Sequence, residues 1–397
     1  GNLTATTDLN SGVIDMDTLR VDGTMALTTH SGGTATVVND AGLNFAASTV
    51  RGAFSATATT GNIIDTGALT ITGTSTFVTT ANDATITLDQ GDHAFTGALL
   101  ITTNDTSTDT AGDVTISAGS GAVLDFGNST IDGDLIATSS NTTGITDSGA
   151  MTVRGTASFQ TTAANADISL GTSTLGDGTG TDTITLNTTG SGGDATLDNA
   201  TTVVVLGTSA AALATSVGGD LTLRSGAAAG ITDSATVTVV GDLDARTDDN
   251  SGVINLDTLA VTGSVALNTH GSGAATVVNA TVLDFDPSIV GGALTATATS
   301  GSITDTGVLR ITGTSTFTVA GGQNITLGSD NTFSDAVTFV TSGGGPIASV
   351  TINDSDEFIL QALTLTGDLT VTAGGNITDS GTLTVGGNLS ARTDAGS

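Results

Sequence analysis

Carboxylates carry most of the chemistry this chain could do. Its densest acidic cluster is Asp354, Asp356 and Glu357. Closely spaced carboxylates supply the hard oxygen ligands that Ca²⁺ takes. This cluster is the best local candidate for a Ca²⁺ site, in a chain otherwise expected to bind cations weakly and to need no cofactor. The dedicated calcium motifs are missing. There is no G-G-x-G-x-D-x-U-x nonapeptide, and "DNTFSDAVTF" from Asp330 lacks the central Gly and terminal Glu of an EF-hand loop. Paired acids at Asp15/Asp17, Asp248/Asp249, Asp284/Asp286 and Asp354/Asp356/Glu357 could serve acid–base attack on a glycosidic bond. Turn carboxylates forming Asx-turns account for them more simply. A catalytic His needs a nucleophile or a second acid–base group beside it. His30 and His270 fall at equivalent places in a duplicated unit and His93 stands alone; each reads as a turn or coil-surface side chain. No catalytic residue is predicted, and the chain reads as non-enzymatic.

Composition narrows the partners. Against 39 acidic residues stand seven Arg and no Lys, for a net charge of -32. Nucleic-acid binding draws most of its affinity from phosphate neutralisation, so a nucleic-acid partner is excluded. Direct binding to anionic lipid is disfavoured for the same reason. No Cys is present, hence no disulfide and no thiolate metal site. Trp and Tyr, the usual platforms for sugars and bases, are absent too. No apolar run approaches the roughly twenty residues needed to span a bilayer, so this segment should not insert in a membrane. The wealth of Gly, Thr, Ala, Asp and Ser suggests disorder. Hydrophobic residues are nevertheless 37% of the chain and alternate with polar ones, which opposes it.

The elements that must position these residues announce themselves by repetition. Residues 12–77 align without a gap with 252–317, and 41 of the 66 positions are identical. A second repeat relates "ITDSATVTVVGDLDARTD" (231–248) to "ITDSGTLTVGGNLSARTD" (377–394). Similar module heads open at Gly1, Gly241 and Gly387, giving modules 1–240 and 241–386, with 387–397 starting another. The expectation is one continuous segment, 1–397, of a longer tandem array. Its partner would be itself, by continuation or end-to-end stacking.

Within modules the chain is a series of short alternating runs, such as Ala84-Thr-Ile-Thr-Leu88 and Asp182-Thr-Ile-Thr-Leu186. Period-two alternation rich in Thr, Val and Ile is a strand signal. Gly-Asn, Asp-Gly and Gly-Gly pairs between runs supply turns. No helical period survives for three turns. The fold predicted is all-β, a parallel β-solenoid of about 18–30 residues per coil, because stacked units contact only their neighbours. The motif I-[TI]-D-[ST], from Ile63, Ile145, Ile231, Ile303 and Ile377, is expected to place its Asp as a turn cap before Gly. Thr-x-Thr runs invite an ice-binding reading, which would need a Thr pair at the same place on every coil; their spacing in sequence is irregular.

In "GNLTATT", "LAVTGSVAL" (259–267) and "GDLTVTAGGNITDSGTLTVGGNLSART" (367–393) the chain resembles the repeat region of filamentous-haemagglutinin-type exoproteins, large bacterial surface proteins secreted by the two-partner route. The resemblance covers nearly the whole chain. It implies a right-handed parallel β-helix, extracellular or on the bacterial cell surface, serving as a stalk, a filament segment or an adhesin. The first expectation is a rigid structural segment; the second is a module whose lateral face recognises a glycan or another cell.

Overall fold

A computed structural model describes residues 1–8, 10–104, 111–199, 201–208, 213–248 and 251–394. Strands take in more than half of these residues, and no helix occurs among them. The chain winds as a parallel β-solenoid of about 17 turns. Each coil bonds to the next at an offset of 19 residues, as where Ala35 faces Phe54, to 29, as where Asn187 faces Ser216. Contacts divide the chain into two units, Gly1–Thr202 with Thr208–Gly219, and Val203–Gly207 with Asp220–Ser397.

A coil has a simple composition in the first unit. A five-residue strand, Phe54–Ala58, is followed by two three-residue strands, Ile63–Asp65 and Leu69–Ile71, before Ser75–Thr79 returns over Phe54–Ala58. Successive side chains of a strand point to opposite faces. Phe54, Ala56 and Ala58 are therefore buried while Ser55 and Thr57 face out. In register Phe77 faces Ala56 and Phe54 faces Ser75, so the large rings pack past small neighbours rather than like over like. Phe45, Phe54, Phe77 and Phe95 pack edge to face with centroids 5.4–6.3 Å apart. All eleven Phe of the chain are buried.

The second unit repeats this plan with the same registers. Ile14 faces Ala35 and Ile254 faces Ala275; both strands then slip by one residue, so that Leu19 faces Asn39 and Leu259 faces Asn279. Leu43 over Ile63 becomes Leu283 over Ile303, and Ser48 over Leu69 becomes Ser288 over Leu309. The 240-residue duplication is thus a duplication of coils, irregularities included. On the outer face of this unit Thr276, Thr295, Thr316 and Thr338 stack in register over four coils, beside Val278, Thr297, Thr318 and Val340. The Thr spacing that is irregular in sequence becomes regular in space, because the coils take up their differences in length at turns and bulges outside these strands. The companion column is Thr on the two middle coils and Val on the outer two, so the paired hydroxyls do not run over all four.

Gly is indispensable at two of these turns. Gly144 and Gly230 precede Ile145 and Ile231 with φ of 94° and 74°. A Cβ on either would collide with a backbone oxygen of the next coil, that of Asp167 or Val253. Both the left-handed backbone and the close approach require the missing side chain.

Candidate functional site

The acidic cluster does not converge. Asp354 ends the strand Val350–Asp354 and points inward, whereas Asp356 and Glu357 are exposed on the following turn. Asp354 Oδ1 accepts the N–H of Phe333 at 3.2 Å and that of Asp356 at 3.3 Å. Its Oδ2 is buried without a hydrogen-bond partner. Burial pushes this carboxyl up to about 6, against the lowering effect of those two donors. Among the described residues no group of three or more His, Asp and Glu side chains is arranged to hold a metal ion.

The other paired acids are occupied singly. Asp15 and Asp17 lie exposed on Ile14–Leu19. Asp284 accepts the hydroxyls of Thr304, at 2.7 Å, and Thr306, at 3.3 Å, both one coil further on. Asp248 joins the guanidinium groups of Arg224 and Arg246, which stack in register on adjacent coils; its companion Asp249 lies outside the described residues.

The motif Asp does not act as a cap of its own turn: its partners sit on the next coil. Asp147 Oδ1 accepts from Gly171 N–H, and its Oδ2 accepts from Thr172 N–H and the hydroxyls of Thr172 and Ser173. Asp233 likewise holds the N–H groups of Asp257 and Thr258. Asp305 takes Gly328 and Ser329 N–H and also the Asn331 amide at 2.7 Å. The next coil is longer at this point. Its strand bulges, its N–H groups leave the ladder, and the motif carboxylate collects them. Asp379, on the strand Ile377–Asp379, is exposed.

A second set of polar side chains points inward at kinks of separate coils. Asn39 accepts Val21 N–H through Oδ1 and donates from Nδ2 to the carbonyls of Val21 and Gly42. Asn279 repeats the set with Val261 and Val282. Asn199 bonds Leu175 N–H and C=O, and Asn331 accepts Leu309 N–H at 2.7 Å. At each kink one inward acceptor takes an N–H of the preceding coil that no strand partner can reach. This satisfies the rule that buried backbone groups be paired.

His93 plays the same part at its kink, and here the expectation of a coil-surface histidine is corrected. His30 and His270 are exposed, but His93 is fully buried. The strand Ile86–Phe95 spans two sides of the coil, and Phe95, two residues on, is in the core. Alternation therefore turns His93 inward. Its ring stacks on Phe95 with centroids 5.6 Å apart, and Nδ1 accepts Leu69 N–H at 2.9 Å. Nε2 stands 3.1 Å from Asp65 Oδ2, with the oxygen off the N–H axis. Burial raises the Asp65 carboxyl and lowers the His93 imidazole, each charge partly offsetting the effect on the other.

A third column runs along the turns that open the strands. Asp113 accepts Asp134 N–H, and Asp134 accepts Thr156 N–H. In the second unit Asp220 accepts Asp242 N–H and Asp242 accepts Ser264 N–H, while Ser302, Asn324, Ser349 and Asp368 hand the same bond from coil to coil up to Asn388. Of the acids paired in sequence, Asp248, Asp284 and Asp354 likewise bond across coils, while Asp15, Asp17, Asp356 and Glu357 are exposed.

No curated protein and no solved structure matches the chain. Residues 32–102, 111–174, 271–340 and 348–397 each match one family, and the segments at 32 and 271 fall on the two copies of the duplicated coils. The chain belongs to the family described as Repeats of unknown function (DUF5649).

Proposed function

We propose that this chain is a non-enzymatic structural segment of a bacterial extracellular or surface protein, a stack of coils that holds whatever it carries away from the cell. One observation supports this most: its polar side chains are spent on bonds between coils. The inward Asn, the motif Asp and the turn Asp each tie one coil to the next. Such a stack resists separation at every step and needs no cofactor. Its negative charge keeps neighbouring stacks apart in solution. Immunogold labelling of the native cells with an antibody raised against residues 1–397 tests the reading. Label on extracellular fibres or the outer surface is expected; label confined to the cytoplasm would overturn it.

A lateral binding role is the second reading, and one departure from the repeat favours it. Between Val337–Thr341 and Val350–Asp354 the turn carries Gly343, Gly344 and Gly345, all at positive φ, and an open groove lies beside it between Phe339, Pro346, Ile347 and Leu363. Glycan-array binding that is lost on deletion of 343–345 would establish this role. An array with no signal would remove it.

A further inference from the structure

His93 occupies a place that an amide fills elsewhere, and the substitution has a consequence. In the second copy the corresponding pair is Asn331 and Asp305: Asn331 Oδ1 accepts Leu309 N–H and Nδ2 donates to Asp305 Oδ2. In the first copy His93 Nδ1 accepts Leu69 N–H, and Nε2 faces Asp65 Oδ2. Asp65 Oδ1 in turn accepts Asp89 N–H at 3.1 Å. The hydrogen-bond network fixes the tautomer: Nδ1 is bare and Nε2 carries the hydrogen. An amide in this position keeps its acceptor at every pH. An imidazole loses it on charging, because the added proton goes to Nδ1 and points at the Leu69 N–H.

We propose that the His93 corner is an acid-sensitive latch between the coil of residues 63–71 and the coil of residues 86–95. In the neutral form the latch is closed. Protonation of Nδ1 sets two donors against each other and opens the Leu69 bond, so that the ring must leave the core to keep its charge. The charged groups facing the imidazole are Asp65 on the preceding coil and Asp89 and Asp92 on its own strand; the following strand, Val114–Ala118, brings none. These carboxylates favour the charged ring, while full burial disfavours it, and burial is the larger effect. A His whose folded-state affinity for protons is lowered costs nothing above its unfolded value near 6.5. It destabilises progressively as pH falls below that value. Asp65, raised by burial, has the opposite sign, and its uptake of the proton is the competing outcome.

Hydrogen exchange on the full chain, read by peptide and corrected for the intrinsic pH dependence, tests the latch. Below about pH 6.5, exchange over 63–71 and 86–95 should accelerate by about tenfold per pH unit. The matched segments 303–311 and 325–333, which carry Asn331, should show no such acceleration. His93→Asn installs the side chain of the second copy and should abolish the acceleration. Equal acceleration in His93→Asn, no acceleration in the parent, or slower exchange on acidification through protonation of Asp65 would each overturn the proposal. Should His93→Asn fail to fold, imidazole nitrogen resonances of the parent decide: His93 should charge only together with loss of the protected Leu69 amide, and charging with that amide intact would refute the latch.

Discussion

Replacing Asp354 with Asn should stabilise the protein, most at neutral and alkaline pH. Asp354 fills the kind of kink position that Asn39, Asn199, Asn279 and Asn331 fill elsewhere, and its Oδ1 makes their bond, to Phe333 N–H. The difference lies at the second atom. Asn279 Nδ2 donates to Val261 and Val282 carbonyls, at 3.0 and 2.6 Å, where Asp354 has an oxygen with no donor near it. A buried oxygen in that position prefers to carry a proton, which is why the group is pushed from 3.8 to about 6. Its folded-state value lies above its unfolded one. The carboxyl therefore costs nothing below about pH 3.8, and the cost grows until it is complete above about pH 6. At 1.36 kcal/mol per pH unit the gap is worth about 3 kcal/mol at pH 7. Asp354→Asn removes that cost and adds a donor. Equilibrium urea unfolding of parent and variant, followed across pH by far-UV circular dichroism, should show a gain of about 3 kcal/mol at pH 7 that shrinks towards pH 4. A gain that does not vary with pH, or a loss at every pH, would refute the assignment of a strained buried carboxyl.

Three further outcomes follow from the same geometry. Asn279→Ala strands Val261 N–H and two carbonyls inside the coil and should cost about 2–3 kcal/mol in urea unfolding, where an exposed Asn→Ala would change little. Phe77→Ala removes a ring packed on Phe45, Phe54 and Phe95 and should cost about 3–5 kcal/mol; a smaller loss would mean that neighbouring coils collapse onto the gap. Millimolar Ca²⁺ should raise the thermal midpoint over that in chelator at fixed ionic strength, because a net charge of -32 is distributed over coils spaced closer than a Debye length of about 8 Å. An unchanged midpoint would leave only non-specific screening.

The fold was legible because alternation and turn chemistry agree in nearly every coil. "ATVVN" at 35–39 and 275–279 predicts a strand, and both strands occur with the same inward and outward faces. Less legible is the place of the polar residues. Asn39 is in phase with Ala35 and Val37, Asp354 with Val350 and Ile352, and His93 with Phe95, so alternation itself marked all three as inward. Composition argued the other way, since Asp, Asn and His are usually exposed. The deciding fact, that each kink frees an N–H of the preceding coil, is a property of two coils together. No window of one strand contains it. The motif Asp is similar: its sequence neighbours Ser and Gly suggest a local turn, yet its partners, such as Thr172 for Asp147, lie 25 residues on.

The charge of the chain takes on a different sense in that light. Thirty-nine acids against seven Arg would be expected to weaken a stack whose coils bring like positions together. In the columns neighbouring carboxylates still repel, burial and then Asp113 raising the Asp134 carboxyl, but each has a donor that offsets this. Asp113 and Asp134 are successive rungs, and each is directed at the N–H of the rung that follows, Asp134 and Thr156. A carboxylate accepting a backbone N–H makes a charge-assisted bond, stronger than a neutral one. Ser349 and Asn324 accept the same bond at equivalent turns without charge. Since Ser, Asn and Asp exchange freely at this turn, the acceptor oxygen is what each coil needs, and the charge is an addition that folding permits. Inside the coils neutral side chains dominate, Ser and Thr with Asn at the kinks, and His93 and Asp354 are buried titratable groups on which pH should act with opposite signs.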